Sequence, residues 1–361
     1  MILALFFIAG LVLLLLGADL LVRGASRLAL ALGMAPIVVG LTVVSLGTSA
    51  PELAISLGSA LHGTPDLALG NVVGSNIANV LLILGLVALF VPLVVHRQLV
   101  WLDVPLMIVA SLLCYGMALD GRIARWEGAL LVLGAIAYTG FLLRMARRDP
   151  QAVPTDPALD AQARPGIAKQ LLFMAVGLGL LIGGANLLVH AATQLATALG
   201  LSDLVIGLTV VAIGTSLPEI ATSLLSALRG QRDLAVGNIV GSNLFNLLLV
   251  LGATALVSPA GVPVPDSALH FDLPVMVAVS AACLPIFFNG HRIARWEGAL
   301  FLGYYIAYTA WLLLAAAKHA ALDDVRFAMQ AVVIPLTLVT LAVVTWRNLM
   351  AHRRSASPGD S

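Results

Sequence analysis

One polar sentence is written twice in this otherwise apolar chain, and the repetition limits what the chain can fold into. Residues 40–85 read GLTVVSLGTSAPELAISLGSALHGTPDLALGNVVGSNIANVLLILG. Residues 207–252 read GLTVVAIGTSLPEIATSLLSALRGQRDLAVGNIVGSNLFNLLLVLG. Aligned without a gap at an offset of 167, 31 of the 46 positions are identical. Each copy carries one glutamate, Glu52 or Glu219, in a segment apolar enough to lie in lipid. A carboxylate at membrane depth is costly and by default marks a substrate or ion pathway. Two of them, at equivalent places in two halves, predict a site built at a repeat interface.

The rest of the sequence agrees with a membrane setting. Of 361 residues, 60% are hydrophobic and 10% charged, where a soluble domain averages about 25% charged. A helical span needs about 20 apolar residues. A net charge of +1 offers no basic surface for nucleic acid. Cys114 and Cys283 lie in apolar runs at matching places and read as small packing residues, neither disulfide nor metal ligands. The first 24 residues resemble a signal peptide, but they lack a basic n-region. They are also duplicated: Gly17-Ala18-Asp19-Leu20-Leu21-Val22 recurs as Gly184-Ala185-Asn186-Leu187-Leu188-Val189. They read as a first membrane helix.

The duplication extends over residues 1–317: Arg122 to Leu130 recurs as Arg292 to Leu300, and Ile136 to Thr139 as Ile306 to Thr309. The expected layout is a first repeat at 1–148 with five helices and its motif at 40–85. A polar, proline-rich cytoplasmic linker at 149–168 follows. The second repeat, at 169–317, again has five helices, with its motif at 207–252. Residues 318–361 hold one extra span, near Phe327–Trp346, and a basic tail. The fold class predicted is all-α polytopic, a ten-helix core of two repeats plus an eleventh helix. Five spans is an odd number, so the second repeat enters from the opposite side and the halves are inverted. With the N-terminus outside, 15 of the 19 Lys and Arg residues fall on inside segments; Arg122, Arg125, Lys318 and Arg326 fall outside. The positive-inside rule therefore places the C-terminal tail in the cytoplasm.

The repeated segment is rich in oxygen donors. Pro51 and Pro218 each precede a glutamate; a helical proline frees the carbonyl four residues back, here Gly47 and Gly214. Broken backbone at this depth is tolerated where it is enclosed by protein or lines a wet cavity. Thr48 and Ser49 lie four and three residues before Glu52, on its helical face, and Thr215 and Ser216 stand likewise to Glu219. Asn71, Ser75 and Asn79 form a polar stripe, repeated by Asn238, Ser242 and Asn246. No Cys or His joins either cluster, which argues against zinc or copper. Two glutamates, neutral amides, hydroxyls and carbonyls make an all-oxygen site of charge near −2. That suits one divalent cation, with Ca²⁺ favoured over Mg²⁺ for its flexible shell of about 6–8 oxygens. No Lys or Arg lies in the four core spans to balance the glutamates, which points to a mobile cation as their partner.

Other polar groups have plainer readings. Individual hydroxyls in membrane helices often serve packing and interhelical hydrogen bonds. Asp19 and Asn186 read that way, near span ends. Asp103 and Asp272 read as caps or interface groups at the starts of spans four and nine. The histidines fall at loops and span ends.

At these residues the chain resembles the cation/calcium exchanger superfamily, whose repeats carry G-T-S-x-P-E followed by G-N-x-x-G-[SA]-N. Here they are Gly47 to Glu52 with Gly70 to Asn76, and Gly214 to Glu219 with Gly237 to Asn243. The overall pattern looks most like bacterial and archaeal sodium/calcium antiporters. The resemblance implies that Glu52 and Glu219 are shared Ca²⁺ and Na⁺ ligands. Carbonyls of Thr48 and Thr215 would complete the Ca²⁺ shell. Ser49, Ser75, Ser216 and Ser242 would be flanking Na⁺ ligands, helped by the carbonyls of Ser45 and Ala212. Asn79 and Asn246 would line the centre. Some members carry aspartate at the place of Asn246, where an acid goes with potassium dependence; Asn246 argues against K⁺ co-transport.

The function expected is antiport of Na⁺ against Ca²⁺ by alternating access at a two-glutamate midplane site, with H⁺/Ca²⁺ exchange as the alternative. No resident cofactor is expected; Ca²⁺ and Na⁺ are substrates, the bilayer is the surroundings, and one monomer suffices. The bacterial inner membrane is the expected location. A channel would favour a ring of subunits around a continuous pore, and an intramembrane enzyme would need a nucleophile with an adjacent base, which the repeated segments lack.

Overall fold

The computed structural model describes residues 2–63, 65–148, 166–200, 210, 212–288 and 291–317. The eleventh span, most of the linker and the start of the second motif lie outside these residues. The first half holds α1 (Ile2–Leu32), α2 (Pro36–Thr48), α3 (Ala50–Leu61), α4 (Leu67–Phe90), α5 (Leu99–Ala118) and α6 (Arg125–Arg148). The second half holds α7 (Ile167–Ala198), α8 (Ala212–Thr215), α9 (Leu217–Leu228), α10 (Arg232–Val257), α11 (Ala268–Phe288) and α12 (Arg295–Ala316). Among the described residues, eight helices are long and apolar enough to cross a membrane. The pair α2 and α3, bent by 42° at their junction, is apolar enough to make a ninth when taken as one broken span. The protein is an integral membrane protein. Ser216 separates α8 from α9 as Ser49 separates α2 from α3.

Local sequence sets the helix ends. α1 stops at Leu32, and Gly33 follows at φ 63°, a left-handed conformation that glycine adopts without steric cost. Pro36 then opens α2, where its missing N–H would have had no helical partner. Gly200, at φ 80°, plays the part of Gly33 after α7.

α1 and α7 run antiparallel in close contact along a glycine seam. Gly10 faces the backbone of Gly184, and Gly17 that of Gly177. Glycines seven residues apart return to nearly the same helix face, and without side chains the two backbones can touch. Reciprocal glycine contacts also join Gly128 of α6 to Gly252 of α10, and Gly298 of α12 to Gly85 of α4. Each contact has its counterpart with the halves exchanged. α4 and α10 lie innermost, mostly enclosed, whereas most residues of α12 are half-buried.

Two short ladders, which the periodicity does not announce, also exchange between halves. β1 (Leu93–Val94) pairs antiparallel with β4 (Arg292–Ile293), and β2 (Arg122–Ile123) with β3 (Val262–Pro263). They explain the repeated Arg-Ile-Ala-Arg-Trp-Glu-Gly. The Arg-Ile pair supplies the strand. Glu127 Oε2 accepts the Ala124 N–H at 2.8 Å, and Glu297 Oε2 the Ala294 N–H at 2.7 Å, so each caps the helix that follows. The glycine is the seam residue of α6 or α12.

Candidate ion-binding site

α2 ends at Thr48, Ser49 takes φ −80°, ψ 6°, and α3 restarts at Ala50. Ser216 does the same between α8 and α9, at φ −89°, ψ 4°. The breaks fall where the sequence placed them, but the prolines act differently. Pro51 and Pro218 stand in the first turn of the restarted helix, where proline is preorganised, and not inside a kinked one. The glycines also differ from expectation. A Cβ on Gly47 would sit 2.6 Å from Leu178 Cδ1, and one on Gly214 would be 2.1 Å from Val189 Cγ2. Gly47 and Gly214 therefore admit side chains of α7.

A broken helix aims two ends at one place. The end of α2 presents carbonyls, which favour cations, while the start of α3 presents N–H groups. Glu52 and Glu219 stand in first turns, where the helix dipole favours a negative charge. Both are 1% exposed. Glu52 and Glu219 interact electrostatically, so the two halves bring their acids into one region. Among the described residues neither has an ion pair.

Side chains of both halves surround them. The Thr48 hydroxyl lies 3.2 Å from Asn238 Oδ1 and 3.4 Å from Ser242 Oγ. Asn79 Nδ2 donates to Asn243 Oδ1 at 3.3 Å. Asn71 Nδ2 donates to Ser56 Oγ and Asn238 Nδ2 to Ser223 Oγ, each at 3.0 Å, so these two amides brace the broken helices. α4 and α10 widen to π-helical turns at Asn79–Leu84 and Asn246–Leu251. Such turns recur at functional sites, and here each begins at the asparagine assigned to the centre.

Besides Asn76 Oδ1, whose counterpart on Asn243 is bonded, and the Thr222 and Ser226 hydroxyls further along α9, six buried oxygens of the two motifs have no hydrogen-bond partner among the described residues: Ser49 Oγ, Glu52 Oε2, Asn79 Oδ1, Ser216 Oγ, Glu219 Oε2 and Asn246 Oδ1. They form three pairs at the repeat offset, and each carries lone pairs. Ser45, Ser75 and Ser242 are buried nearby in sequence; Thr215 is half-buried, and the Ala212 side chain lies outside the described residues. The Ser45 carbonyl accepts the Ser49 N–H at 2.9 Å and the Thr48 hydroxyl at 3.4 Å. No group of three His, Cys, Asp or Glu side chains forms among the described residues. An ion held here would rely on neutral oxygens for most of its shell.

Three polar residues behave differently from expectation. Asp103 and Asp272 do not cap helices. Asp103 is fully buried and accepts Tyr138 Oη and Gln98 Nε2, each at 3.0 Å; Asp272 accepts Tyr308 Oη at 2.8 Å. These bonds tie α5 to α6 and α11 to α12. Asp19 is no span-end packing group: α1 runs on to Leu32, and Asp19 pairs with Arg23 at 2.9 Å and with Arg229 beyond α9. The sequence reading passed over Asn243, which links Asn79 to Met107 Sδ at 3.4 Å; its place in both copies of G-[SA]-N was the available signal.

A family model described as "Sodium/calcium exchanger protein" matches residues 2–144 and 169–314. A protein of Alkalimonas amylolytica named CaxA is 40% identical, over 84% of this chain and 96% of its own. The sodium/calcium exchanger MaX1 of Methanosarcina acetivorans is 33% identical, over 84% of this chain and 96% of its own. The solved structure of a sodium/calcium exchanger from Methanococcus jannaschii superposes with a TM-score of 0.73 at 31% identity, covering 86% of this chain and 98% of that one.

Proposed function

The chain belongs to the sodium/calcium exchanger protein family, and on that premise we propose that it drives Ca²⁺ across the membrane against Na⁺ at a site shared by Glu52 and Glu219. It is a transporter and not an enzyme, and its substrates are Ca²⁺ and a counter-cation. One observation carries the site: the six unpartnered oxygens, in three repeat-related pairs, around two acids without ion pairs. A buried carboxylate without a partner is expensive. A bound cation offsets that cost and satisfies the serine and asparagine oxygens together.

Ca²⁺ takes both carboxylates, with carbonyls of Thr48 and Thr215 and the amides of Asn79 and Asn246. Na⁺ takes overlapping oxygens through Ser49, Ser75, Ser216 and Ser242 with carbonyls of Ser45 and Ala212. Overlap makes binding competitive, and competition couples the two fluxes. The reciprocal contacts between halves support two inverted five-helix repeats, at 1–148 and 169–317, around this centre. The α1–α7 pair, joined backbone to backbone, moves as one body across the motif-bearing helices. The N-terminus faces outside and the tail the cytoplasm, in a bacterial inner membrane.

The test is Ca²⁺ uptake by proteoliposomes of purified protein under a Na⁺ gradient, a pH gradient, or neither. Uptake under the Na⁺ gradient alone supports the reading. Uptake that follows only the pH gradient refutes Na⁺ as the coupling ion and makes the protein a H⁺/Ca²⁺ exchanger.

A further inference from the structure

Beyond Glu219, α9 carries a polar stripe that the first half matches only in part. Glu219, Thr222, Ser226 and Arg229 step by three, four and three residues and so share one helix face. Thr222 and Ser226 are fully buried, and neither hydroxyl has a hydrogen-bond partner. Ser26 of α1 hydrogen-bonds Gln231, and the Gln231 N–H donates to the Ser226 carbonyl at 2.9 Å, which ties α1 to the end of α9. The stripe ends at Arg229, whose guanidinium pairs with Asp19 of α1.

At the matching positions of α3 stand Ile55, Ser59 and His62. Ile55 is 43% exposed, whereas Thr222 is wholly covered. Two copies of one motif are thus covered unequally, and only the covered one bears a threonine at this position. Unpartnered hydroxyls cost free energy wherever they are shut away from water. Retaining them in a membrane protein calls for a state in which they are used.

We propose that Thr222 and Ser226 form a cation subsite on the route between Glu219 and the Arg229 end of α9, closed in this structure by α1. Its ligand is a partly hydrated Na⁺ or Ca²⁺. Two hydroxyl oxygens are hard, neutral donors that replace shell waters one at a time and hold the ion too weakly to trap it. Asp19 neutralises the guanidinium that otherwise repels a cation at the mouth. Movement of α1 off α9 breaks that pair, wets the stripe and satisfies the hydroxyls. The first half has no such leg, because Ile55 offers no oxygen. This inference rests on the two-glutamate reading above.

The test uses two assays on purified protein: equilibrium binding of radioactive Ca²⁺ in detergent, and Na⁺-driven Ca²⁺ flux in proteoliposomes. Thr222→Val keeps the side-chain shape and removes the hydroxyl, as Ser226→Ala does with less change of packing. The double variant is expected to lose about tenfold in flux while binding Ca²⁺ like the native protein. Thr222→Ser, which keeps the oxygen, is expected to retain flux. Native flux in the double variant, equal loss of binding and flux, or slow flux in Thr222→Ser overturns the proposal. A native protein that binds no Ca²⁺ refutes the two-glutamate reading itself.

Discussion

Replacing Gly17 with alanine tests the helix seam with a built-in control. A Cβ there would lie 2.7 Å from the Gly177 carbonyl oxygen and 2.7 Å from the Leu181 nitrogen, both backbone atoms that cannot rotate away. Ordinary contact begins at 3.4 Å, so α1 and α7 must part by the difference, 3.4 − 2.7 = 0.7 Å. A gap of that size forfeits roughly a quarter to a half of each dispersion contact along the seam, and forced overpacking costs about 1–3 kcal/mol. Alanine also gains about 1 kcal/mol over glycine in a helix interior. That gain cancels in comparison with Gly179→Ala on α7, where a Cβ meets nothing within 4 Å. The difference between the variants is therefore the overpacking cost alone, about 1–3 kcal/mol. The assay is thermal unfolding of each purified variant in detergent. Gly17→Ala is expected to melt several degrees below Gly179→Ala, taking about 2–4 °C per kcal/mol as the scale. Equal midpoints, or a lower midpoint for Gly179→Ala, would refute the close-packed seam.

Tyr138→Phe leaves the fully buried Asp103 without one of its two donors and should lower stability by about 1–3 kcal/mol. Asp103→Asn in the same background should recover part of the loss; thermal unfolding of the two variants reads both. Asn246→Asp adds a carboxylate beside Glu52 and Glu219. It should make Ca²⁺ flux fall more steeply as pH falls, because protonation removes the added charge and the cation attraction it supplies. Flux measured across a pH series in native and variant proteoliposomes checks this, and parallel profiles would contradict it.

Much of this architecture is written in the sequence because the duplication supplies its own alignment. Glu52 and Glu219 stood out as charges in apolar runs, and Gly-Thr-Ser-x-Pro-Glu marked the breaks at Ser49 and Ser216. The recurrence of Arg-Ile-Ala-Arg-Trp-Glu-Gly was visible too, but not its meaning. Strand pairing and the Gly128 contact each need a partner from the other half. Tyr138 is 35 residues from Asp103, and no helical period links them. Gly10 and Gly17 form a seam only once α7 lies against them. The unequal covering of α3 and α9 was least legible. Near-identical motifs have the same local preferences, so the difference between Ile55 and Thr222 in exposure belongs to the arrangement of whole helices.

The central claim is that two buried glutamates hold the transported Ca²⁺, and charge removal tests it most directly. Glu52→Gln and Glu219→Gln keep side-chain size and remove one negative charge each from a site that needs about two for a divalent ion. Ca²⁺ flux under an imposed Na⁺ gradient is measured in proteoliposomes of the native protein and of each variant that elutes as a folded species. The account predicts Na⁺-driven uptake in the native protein and none in either variant. Near-native uptake in either glutamine variant would contradict it.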